Sequence, residues 1–222
     1  MAHVKKSMMP KSWPVPRKGK RKRFIAIPSH GLNDGISLLF LLRDVLKIAA
    51  TRKEARYMTL NGIVKINNKV KHNENFPVNV LDVLCLENKE TVLYYKLEII
   101  KSKFSLIEID KKDANSKIIK IVGKKILVGG DVQMNLQDGQ NVVSKDKFRV
   151  GDSVLMNTKE GKIEKVLGLK KGARIEILNG KHAGEKGEIV GFEDLVRGRN
   201  YEIKFESGSL VRLPYKAILV VG

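Results

Sequence analysis

The stretch TRKEARYMTLNGIVKINNKV, residues 51–70, decides the fold of the N-terminal half of the chain. Thr51 and Glu54 form a capping-box pattern, because each can satisfy a free backbone N–H at the start of a helix. We therefore predict a helix that begins here and is preceded by a second helix within residues 36–60. Three residues of the predicted helix share a polar face at helical spacing: Arg52, Arg56 and Thr59.

A β-hairpin is predicted directly after this helix. Residues 63–66 form an apolar-rich strand, and residues 69–71 form its partner. Asn67 and Asn68 lie between them, and asparagine tolerates the positive φ that a tight two-residue turn requires. The helices and the hairpin together predict a compact cationic surface for RNA phosphates, with Arg43, Lys47, Arg52, Lys53, Arg56, Lys65, Asn67, Asn68, Lys69 and Lys71 as candidate contacts.

The predicted first helix carries one apolar stripe at a spacing of 3.6 residues. The stripe consists of Leu38, Leu41, Leu42, Val45, Leu46, Ile48 and Ala49. Ile36, Leu39 and Phe40 lie away from it, and leaving each in water would forgo about 1.5–3 kcal/mol. We therefore expect these three side chains to pack against the central β region or the returning N-terminal tail.

Residues 1–35 predict an extended basic tail. Nine cations precede the first acid, Asp34, and four of the six prolines lie here. Charge repulsion and few apolar anchors predict that residues 1–24 are disordered in the free protein and become ordered on RNA. Trp13 could stack on a base or anchor the tail on protein. The candidate RNA contacts here are Lys5, Lys6, Lys11, Trp13, Arg17, Lys18, Lys20, Arg21, Lys22 and Arg23.

The overall charge of +19 favours a nucleic-acid partner. Residues 1–59 hold 14 Lys and Arg against three acids, so the excess is concentrated in the first quarter. A single cysteine, Cys85, excludes an internal disulfide, and four scattered histidines give no metal cluster. The longest apolar run, residues 36–42, is too short to cross a membrane. We expect no metal, no cofactor, no small-molecule substrate and no membrane association.

The remaining sequence predicts β structure in two parts. Residues 88–167 contain apolar strands separated by turns at Gly129-Gly130 and Asp138-Gly139. Residues 168–222 contain alternating strands and spaced glycines, which favour a small barrel. The predicted fold class is α+β, in four regions: 1–35, 36–87, 88–167 and 168–222.

A glycine-rich loop lies between two strands within residues 171–190. Gly180, Gly184 and Gly187 allow left-handed turns and a close approach of two backbones. A phosphate-binding loop is excluded, because no Lys-Ser or Lys-Thr follows the last glycine. The loop also carries Lys181, His182 and Lys186 as candidate RNA contacts, and an exposed histidine without a role is the open alternative for His182.

These motifs resemble known families. Residues 43–70 resemble the S4 RNA-binding domain, although Asn68 stands where that family commonly has glycine, and residues 171–190 look like a KOW motif. In this order the motifs resemble the ribosomal protein S4e family over nearly the whole chain. Matching stretches include GGDVQMNL at 129–136 and NGKHAGE at 179–185. The chain ends at Gly222 without the basic extension of eukaryotic members, so an archaeal-like member is expected.

The resemblance implies an SH3-like KOW barrel and a non-enzymatic protein of the cytoplasmic small ribosomal subunit. Its partners would be small-subunit ribosomal RNA and neighbouring ribosomal proteins, at one copy per ribosome. Two alternatives stay open, of which the first is a KOW-containing transcription or translation factor that binds RNA transiently. The second is a relative of RNA pseudouridine synthases, for which Asp82 is the nearest match to a catalytic aspartate.

Overall fold

A computed structural model describes residues 3–16, 18–19, 23–33, 35–87, 91–195 and 198–222, with the side chains of 195 and 198 left aside. The fold is α+β and rich in β strands. The chain forms two compact units: Met1–Ile99 with Lys103–Asn115, and Ile100–Ser102 with Ser116–Gly222.

The first unit contains nine strands, two short α-helices and three further helical turns among its described residues. The strands are β1 (His3–Lys5), β2 (Phe24–Ala26), β3 (Gly35–Ser37), β4 (Val64–Ile66), β5 (Lys69–Val70), β6 (Pro77–Asn79), β7 (Val83–Glu87), β8 (Val92–Ile100) and β9 (Lys103–Glu108). The helices are α1 (Leu38–Phe40) and α2 (Arg52–Leu60), with a π-helical turn at Leu41–Val45 and 3-10 turns at Lys6–Met8 and Asp113–Asn115.

The predicted capping box is confirmed at the start of α2. The Glu54 backbone N–H donates to Thr51 Oγ1 at 3.3 Å, and the Glu54 carboxylate accepts from the Ala50 N–H at 2.7 Å. The bond from Ala50 is the main reason that the pKa of Glu54 is lowered. Residues 51–70 therefore start α2 through local side-chain hydrogen bonds, as their sequence predicts.

The first helical segment is shorter than its apolar stripe predicts. Gly35–Ser37 is a strand that pairs with Pro77–Asn79, so the helix begins at Leu38 and not at Ile36. The π-helical turn ends at Val45, and Lys47 adopts a φ of 57°, which is incompatible with a continuing helix. Leu38 to Leu42 are all at most 4% exposed, which is the expected state of a helix that is apolar on every side.

The predicted hairpin is confirmed. Asn67 and Asn68 have φ values of 50° and 62°, the double left-handed conformation of the two-residue turn that matches the twist of its strands. The hairpin joins a five-stranded sheet in the order β5-β4-β7-β8-β9. The predicted boundary at 87/88 falls within this sheet, because Val83–Glu87 pairs with the strand that begins at Val92.

The N-terminal segment is folded against the rest of the first unit. His3–Lys5 pairs with Phe24–Ala26 in an antiparallel ribbon. Trp13 is 2% exposed, its ring lies 5.2 Å from that of Phe40, and its Nε1 donates to the Leu32 carbonyl at 2.9 Å. The Phe104 N–H donates to the Ser12 carbonyl at 2.8 Å.

The prediction of disorder for residues 1–24 is therefore wrong for the part of that segment that the structure describes. The apolar anchors are few, but Met9 and Trp13 are each at most 3% exposed, so their burial offsets much of the ordering entropy. The prediction that Ile36, Leu39 and Phe40 are not left in water is confirmed, and for Phe40 the covering group is the returning tail, as predicted. All three are at most 4% exposed, and Phe40 contacts the tail through Trp13.

The second unit contains two five-stranded antiparallel sheets. The first has the order β12-β11-β10-β13-β14, and the second the order β18-β17-β16-β15-β19. Their strands are β10 (Ser116–Ile126), β11 (Val132–Leu136), β12 (Asn141–Ser144), β13 (Ser153–Asn157), β14 (Ile163–Leu167), β15 (Arg174–Ile177), β16 (Lys186–Leu195), β17 (Gly198–Phe205), β18 (Leu210–Pro214) and β19 (Ile218–Val220), with a 3-10 turn at Tyr215–Ala217.

Both predicted uses of the glycines in the 171–190 segment are confirmed. Gly180 and Gly184 have φ values of 103° and 88°, which side chains rarely adopt. At Gly187 the strands β16 and β17 approach so closely that a Cβ atom would lie 2.7 Å from the Lys204 carbonyl oxygen. Gly180 and Gly184 therefore shape the loop, and Gly187 allows β16 and β17 to pair closely.

Polar side chains connect the two sheets of the second unit. The Lys120 ammonium on β10 donates to the carbonyls of Tyr215 and of Ile218, the latter at 2.7 Å. Ser153 Oγ accepts from the Val220 N–H at 3.0 Å. Burial lowers the pKa of Lys120 from 10.5 to about 8. The lysine thus holds a strand of one sheet against the last strand of the other.

Candidate nucleic-acid interface

Helix α2 has one buried face and one solvent face. Ala55 and Thr59 are fully buried, and the Thr59 hydroxyl donates to the Arg56 carbonyl at 2.8 Å. The sequence predicts that Thr59 shares a polar outer face with Arg56, and this prediction is wrong. The hydrogen bond to the Arg56 carbonyl allows the Thr59 hydroxyl to be buried. Lys53 and Arg56 are exposed.

Three of the predicted RNA contacts in this region already have an acidic partner. Arg43 Nη2 lies 2.8 Å from the Asp44 carboxylate, and Arg52 Nε donates to Glu74 Oε1 at 2.9 Å. Lys65 is paired with Glu87. Hydrogen bonds to these carboxylates raise the pKa of Arg52 and of Lys65. A phosphate would have to compete with these carboxylates for each cation.

Four other predicted contacts are exposed cations that make no ion pair with any residue the structure describes. They are Lys47, Lys53, Arg56 and Lys69. Lys47 follows the first helical segment, and Lys69 follows the hairpin turn. Because no carboxylate of the described ranges pairs with them, these four side chains are available to a polyanion.

The turn residues and Lys71 are held by the protein itself. Asn67 Nδ2 donates to Asp82 Oδ1 at 2.9 Å, and Asn67 Oδ1 accepts from the Val83 N–H at 3.0 Å. Asn68 is half-buried beside it. The Lys71 ammonium lies 4.6 Å from the centre of the Phe76 ring. Asn67 therefore shapes the hairpin, which presents Lys69 to solvent.

The predicted N-terminal contacts divide into several groups. Lys5, Lys11, Lys18 and Arg23 are exposed. Lys6 is 9% exposed and donates to the carbonyls of Lys18 and Gly19 at 3.3 and 3.2 Å, so its ammonium is already bound within the protein. The Trp13 ring is buried against Phe40, which agrees with the second of its two predicted roles, the anchor on protein. Arg17, Lys20, Arg21 and Lys22 lie outside the described residues.

The glycine-rich loop of the second unit exposes Lys181 and Lys186. His182 is half-buried, and its ring stacks on Phe205 at a centroid distance of 5.2 Å and an angle of 25°. Its Nδ1 lies 3.1 Å from Glu185 Oε2. His182 thus belongs to the packing of the loop, and the two lysines flank it.

Among the described residues, three exposed aromatic side chains escaped the sequence prediction, and one of them is Phe24, which is 49% exposed. Tyr57 on α2 is 66% exposed, and Phe192 on β16 is 44% exposed with the Arg199 guanidinium 4.3 Å from its ring centre. The helical phase could have indicated Tyr57, because it lies one turn after Lys53 on the side away from Ala55. For Phe192 no comparable signal exists, since the side that a strand buries depends on its partners.

Two kinds of feature are absent from the described residues: a metal-binding cluster and a membrane-spanning helix. Within them, no group of three or more His, Cys, Asp or Glu side chains could hold a metal ion. Over the same ranges, no helix is long and apolar enough to cross a membrane.

Comparison with known proteins identifies the family. A sequence profile described as Ribosomal family S4e matches residues 93–163. The small ribosomal subunit protein eS4 of Methanosphaera stadtmanae is 33% identical over 224 residues, covering 99% of this chain and 92% of the relative. Its counterpart in Haloarcula marismortui is 36% identical over 190 residues, covering 84% and 80%.

The fold gives the same assignment. The crystal structure of the 30S ribosomal protein S4e from Thermoplasma acidophilum matches with a TM-score of 0.72 and 25% identity, covering 85% of this chain and 95% of that one. Fold and relatives together define a ribosomal protein of archaeal type. The chain belongs to the S4e family, which confirms the resemblance predicted from its sequence.

Proposed function

We propose that this protein is a structural component of the small ribosomal subunit and that it binds and orders small-subunit ribosomal RNA. The observation that carries this proposal is the set of exposed cations Lys47, Lys53, Arg56 and Lys69, which form no ion pair within the described part of a chain of net charge +19. The relatives are named as small ribosomal subunit proteins, which supplies the context for that surface. One copy would act per ribosome, beside neighbouring ribosomal proteins in the cytoplasm.

We further propose that residues 168–222 form an SH3-like KOW barrel. Five antiparallel strands around a core that includes Ile177, Ile203 and Ile218 support this proposal, as do the left-handed glycines at 180 and 184. Lys181 and Lys186 on its exposed loop would add a second RNA contact. The exposed N-terminal cations Lys5, Lys11, Lys18 and Arg23 would add a third.

The pseudouridine synthase alternative depends on Asp82, and the surroundings of this residue do not suit catalysis. Asp82 is 3% exposed, and its carboxylate accepts hydrogen bonds from Asn67 Nδ2 at 2.9 Å and from the Asn79 N–H at 2.8 Å. A catalytic aspartate must reach the base that it attacks, whereas this carboxylate is used to fix the hairpin turn. Asp82 therefore favours a structural protein over a pseudouridine synthase.

A sucrose gradient of a cell lysate separates the remaining alternatives. The full-length chain is quantified against small-subunit ribosomal RNA in each fraction, before and after a wash in high salt. A structural component is expected in small subunits, whole ribosomes and polysomes at one copy per RNA. A transient KOW-containing factor would be substoichiometric and largely absent from polysomes, and that result would overturn the proposal.

A further inference from the structure

The outer face of α2 combines charge with exposed apolar surface. Lys53, Arg56, Tyr57 and Leu60 follow one another at spacings that place them on a single helix face, opposite the buried Ala55 and Thr59. Tyr57 is 66% exposed and Leu60 52% exposed. Lys53 and Arg56 stand beside them without an acidic partner among the described residues.

This face differs from the helical segment that precedes it in the same unit. The segment before it, Leu38–Leu42, buries every large apolar side chain, so the unit has the means to cover such groups. The tyrosine and the leucine on α2 remain in water, where each forgoes the stabilisation of burial. The one acid of the helix, Glu54, is occupied at the N-terminal cap, where its carboxylate accepts from the Ala50 N–H and from the Thr51 hydroxyl.

The cations and the exposed ring on this face of α2 indicate which class of ligand can bind there. A tyrosine ring flanked by a lysine and an arginine suits a ligand that offers both a phosphate and a flat ring. An acidic protein surface would satisfy the cations, but it would leave the exposed ring without a matching flat group. A continuous RNA duplex would satisfy the cations and keep its bases stacked inside, away from the ring.

We propose that Tyr57 stacks on an unpaired RNA base, while Lys53 and Arg56 bind the phosphates on either side and Leu60 covers the edge of the base. The ligand is thus a loop, bulge or single-stranded segment and not a regular duplex. This inference rests on the proposed function and adds the part of the RNA that this helix recognises.

The test measures the affinity of the full-length chain for in vitro-transcribed small-subunit ribosomal RNA of the same organism over a series of KCl concentrations. Tyr57→Ala should weaken binding by roughly five- to a hundredfold, the effect of losing one base–aromatic stack. Tyr57→Phe should bind as the wild type does, because the ring and not the hydroxyl makes the contact. Leu210→Ala, at a side chain that is 67% exposed in the other unit, is the matched control and should have no effect.

Salt dependence separates stacking from charge. Tyr57→Ala should leave the slope of log affinity against log salt unchanged, whereas Arg56→Ala should reduce it by about 0.7–0.9, the value for one phosphate contact. Circular dichroism should show that each variant keeps its helices, since these side chains are exposed.

The outcomes distinguish the two proposals. If the wild type binds the RNA in a salt-dependent manner and Tyr57→Ala binds equally well, the stacking inference fails and the proposed function stands. Tyr57→Ala that binds RNA normally but enters small subunits poorly would assign the face to a protein partner, and this also overturns the inference. A wild type that does not bind the RNA overturns both.

Discussion

The arginines on α2 have the same formal charge but different surroundings. Arg52 donates to Glu74, whereas Arg56, one turn later, has no acidic partner among the described residues. A phosphate that approaches Arg52 meets a pair that is already close to neutral. The charge that RNA meets is therefore set by the neighbours of each side chain as much as by its identity.

We predict that Arg56→Ala weakens RNA binding more than Arg52→Ala does. Each full phosphate contact contributes a salt slope of about 0.7–0.9, so the Arg56 variant should lose that amount and the Arg52 variant much less. Arg52→Ala should instead lower stability, because it leaves the Glu74 carboxylate, which is 8% exposed, without this partner. Filter binding at several salt concentrations and urea unfolding measure both effects, and equal slopes for the two variants would contradict the distinction.

A second residue-scale prediction concerns Lys120. Its pKa is lowered from 10.5 in the unfolded chain to about 8 in the fold, because burial disfavours the charged form. Between these values the unfolded chain binds a proton that the folded chain has released, so the stability contributed by this site rises with pH through the window and is lost as pH falls toward 8. The slope can reach at most about 1.4 kcal/mol per pH unit.

Lys120→Met provides the comparison. The free energy of unfolding of the wild type relative to this variant should increase as pH rises from 8 toward 10.5, because the variant lacks the titrating group. Lys124→Met, at an exposed position of the same strand, serves as the control and should follow the wild type. A difference between wild type and Lys120→Met that is independent of pH would show that the ammonium titrates normally.

At the scale of elements, the backbones of β16 and β17 approach closely at Gly187. We predict that Gly187→Ala destabilises the second unit by about 1–3 kcal/mol, because the added methyl group meets the Lys204 carbonyl at 2.7 Å. Gly191→Ala on the same strand is the matched control, since its methyl group would meet the movable Glu202 carboxylate at 3.3 Å. Thermal unfolding of the two variants should differ clearly, and equal midpoints would mean that the strands can separate without cost.

The elements that sequence predicts correctly are those fixed by near neighbours. The capping box at Thr51 and the turn at Asn67-Asn68 depend on contacts within a few residues, so their side-chain chemistry is visible in the sequence. The start of the first helix is different. Gly35–Ser37 is a strand because it pairs with Pro77–Asn79, about forty residues later, and tertiary pairing overrides the local apolar pattern.

The candidate site follows the same rule. Sequence identifies which residues are cationic, but the partner of Arg52 lies 22 residues away, at Glu74, and the partners of Lys6 are backbone carbonyls at Lys18 and Gly19. Such pairings depend on the folded chain. The division between neutralised and available cations therefore became apparent only in the structure, and so did the exposure of Tyr57.

At the scale of the whole molecule, the N-terminal segment tests how far composition predicts order. A high positive charge with few apolar residues predicts a disordered tail, yet Met9 is 3% exposed and Trp13 is 2% exposed. We therefore predict that Trp13→Ala lowers the free energy of unfolding by about 3–5 kcal/mol. Met8→Ala, at a side chain that is 69% exposed in the same segment, should change it little.

Deletion of residues 1–24 extends this prediction. A chain that starts at Ile25 should lose the strand pairing of His3–Lys5 and uncover Phe40, so it should unfold at a lower temperature than the full chain. If residues 1–24 were disordered in the free protein, as the sequence predicts, this truncation would fold normally, so the measurement discriminates between the two views. Equal unfolding temperatures would show that the tail contributes no stability.

The position of Ser12 has a consequence for synthesis. A chain is made from its N-terminus, yet the Ser12 carbonyl accepts from the Phe104 N–H, and the Trp13 ring lies against Phe40. The first residues to leave the ribosomal tunnel are thus among the last to form their native contacts. Ser12 can form its hydrogen bond only after about ninety further residues have left the tunnel. Trp13 is the single tryptophan of the chain, so its fluorescence reports on this step. On short nascent chains the emission maximum should be that of a water-exposed indole, and it should shift to the blue once Phe104 has left the ribosomal tunnel.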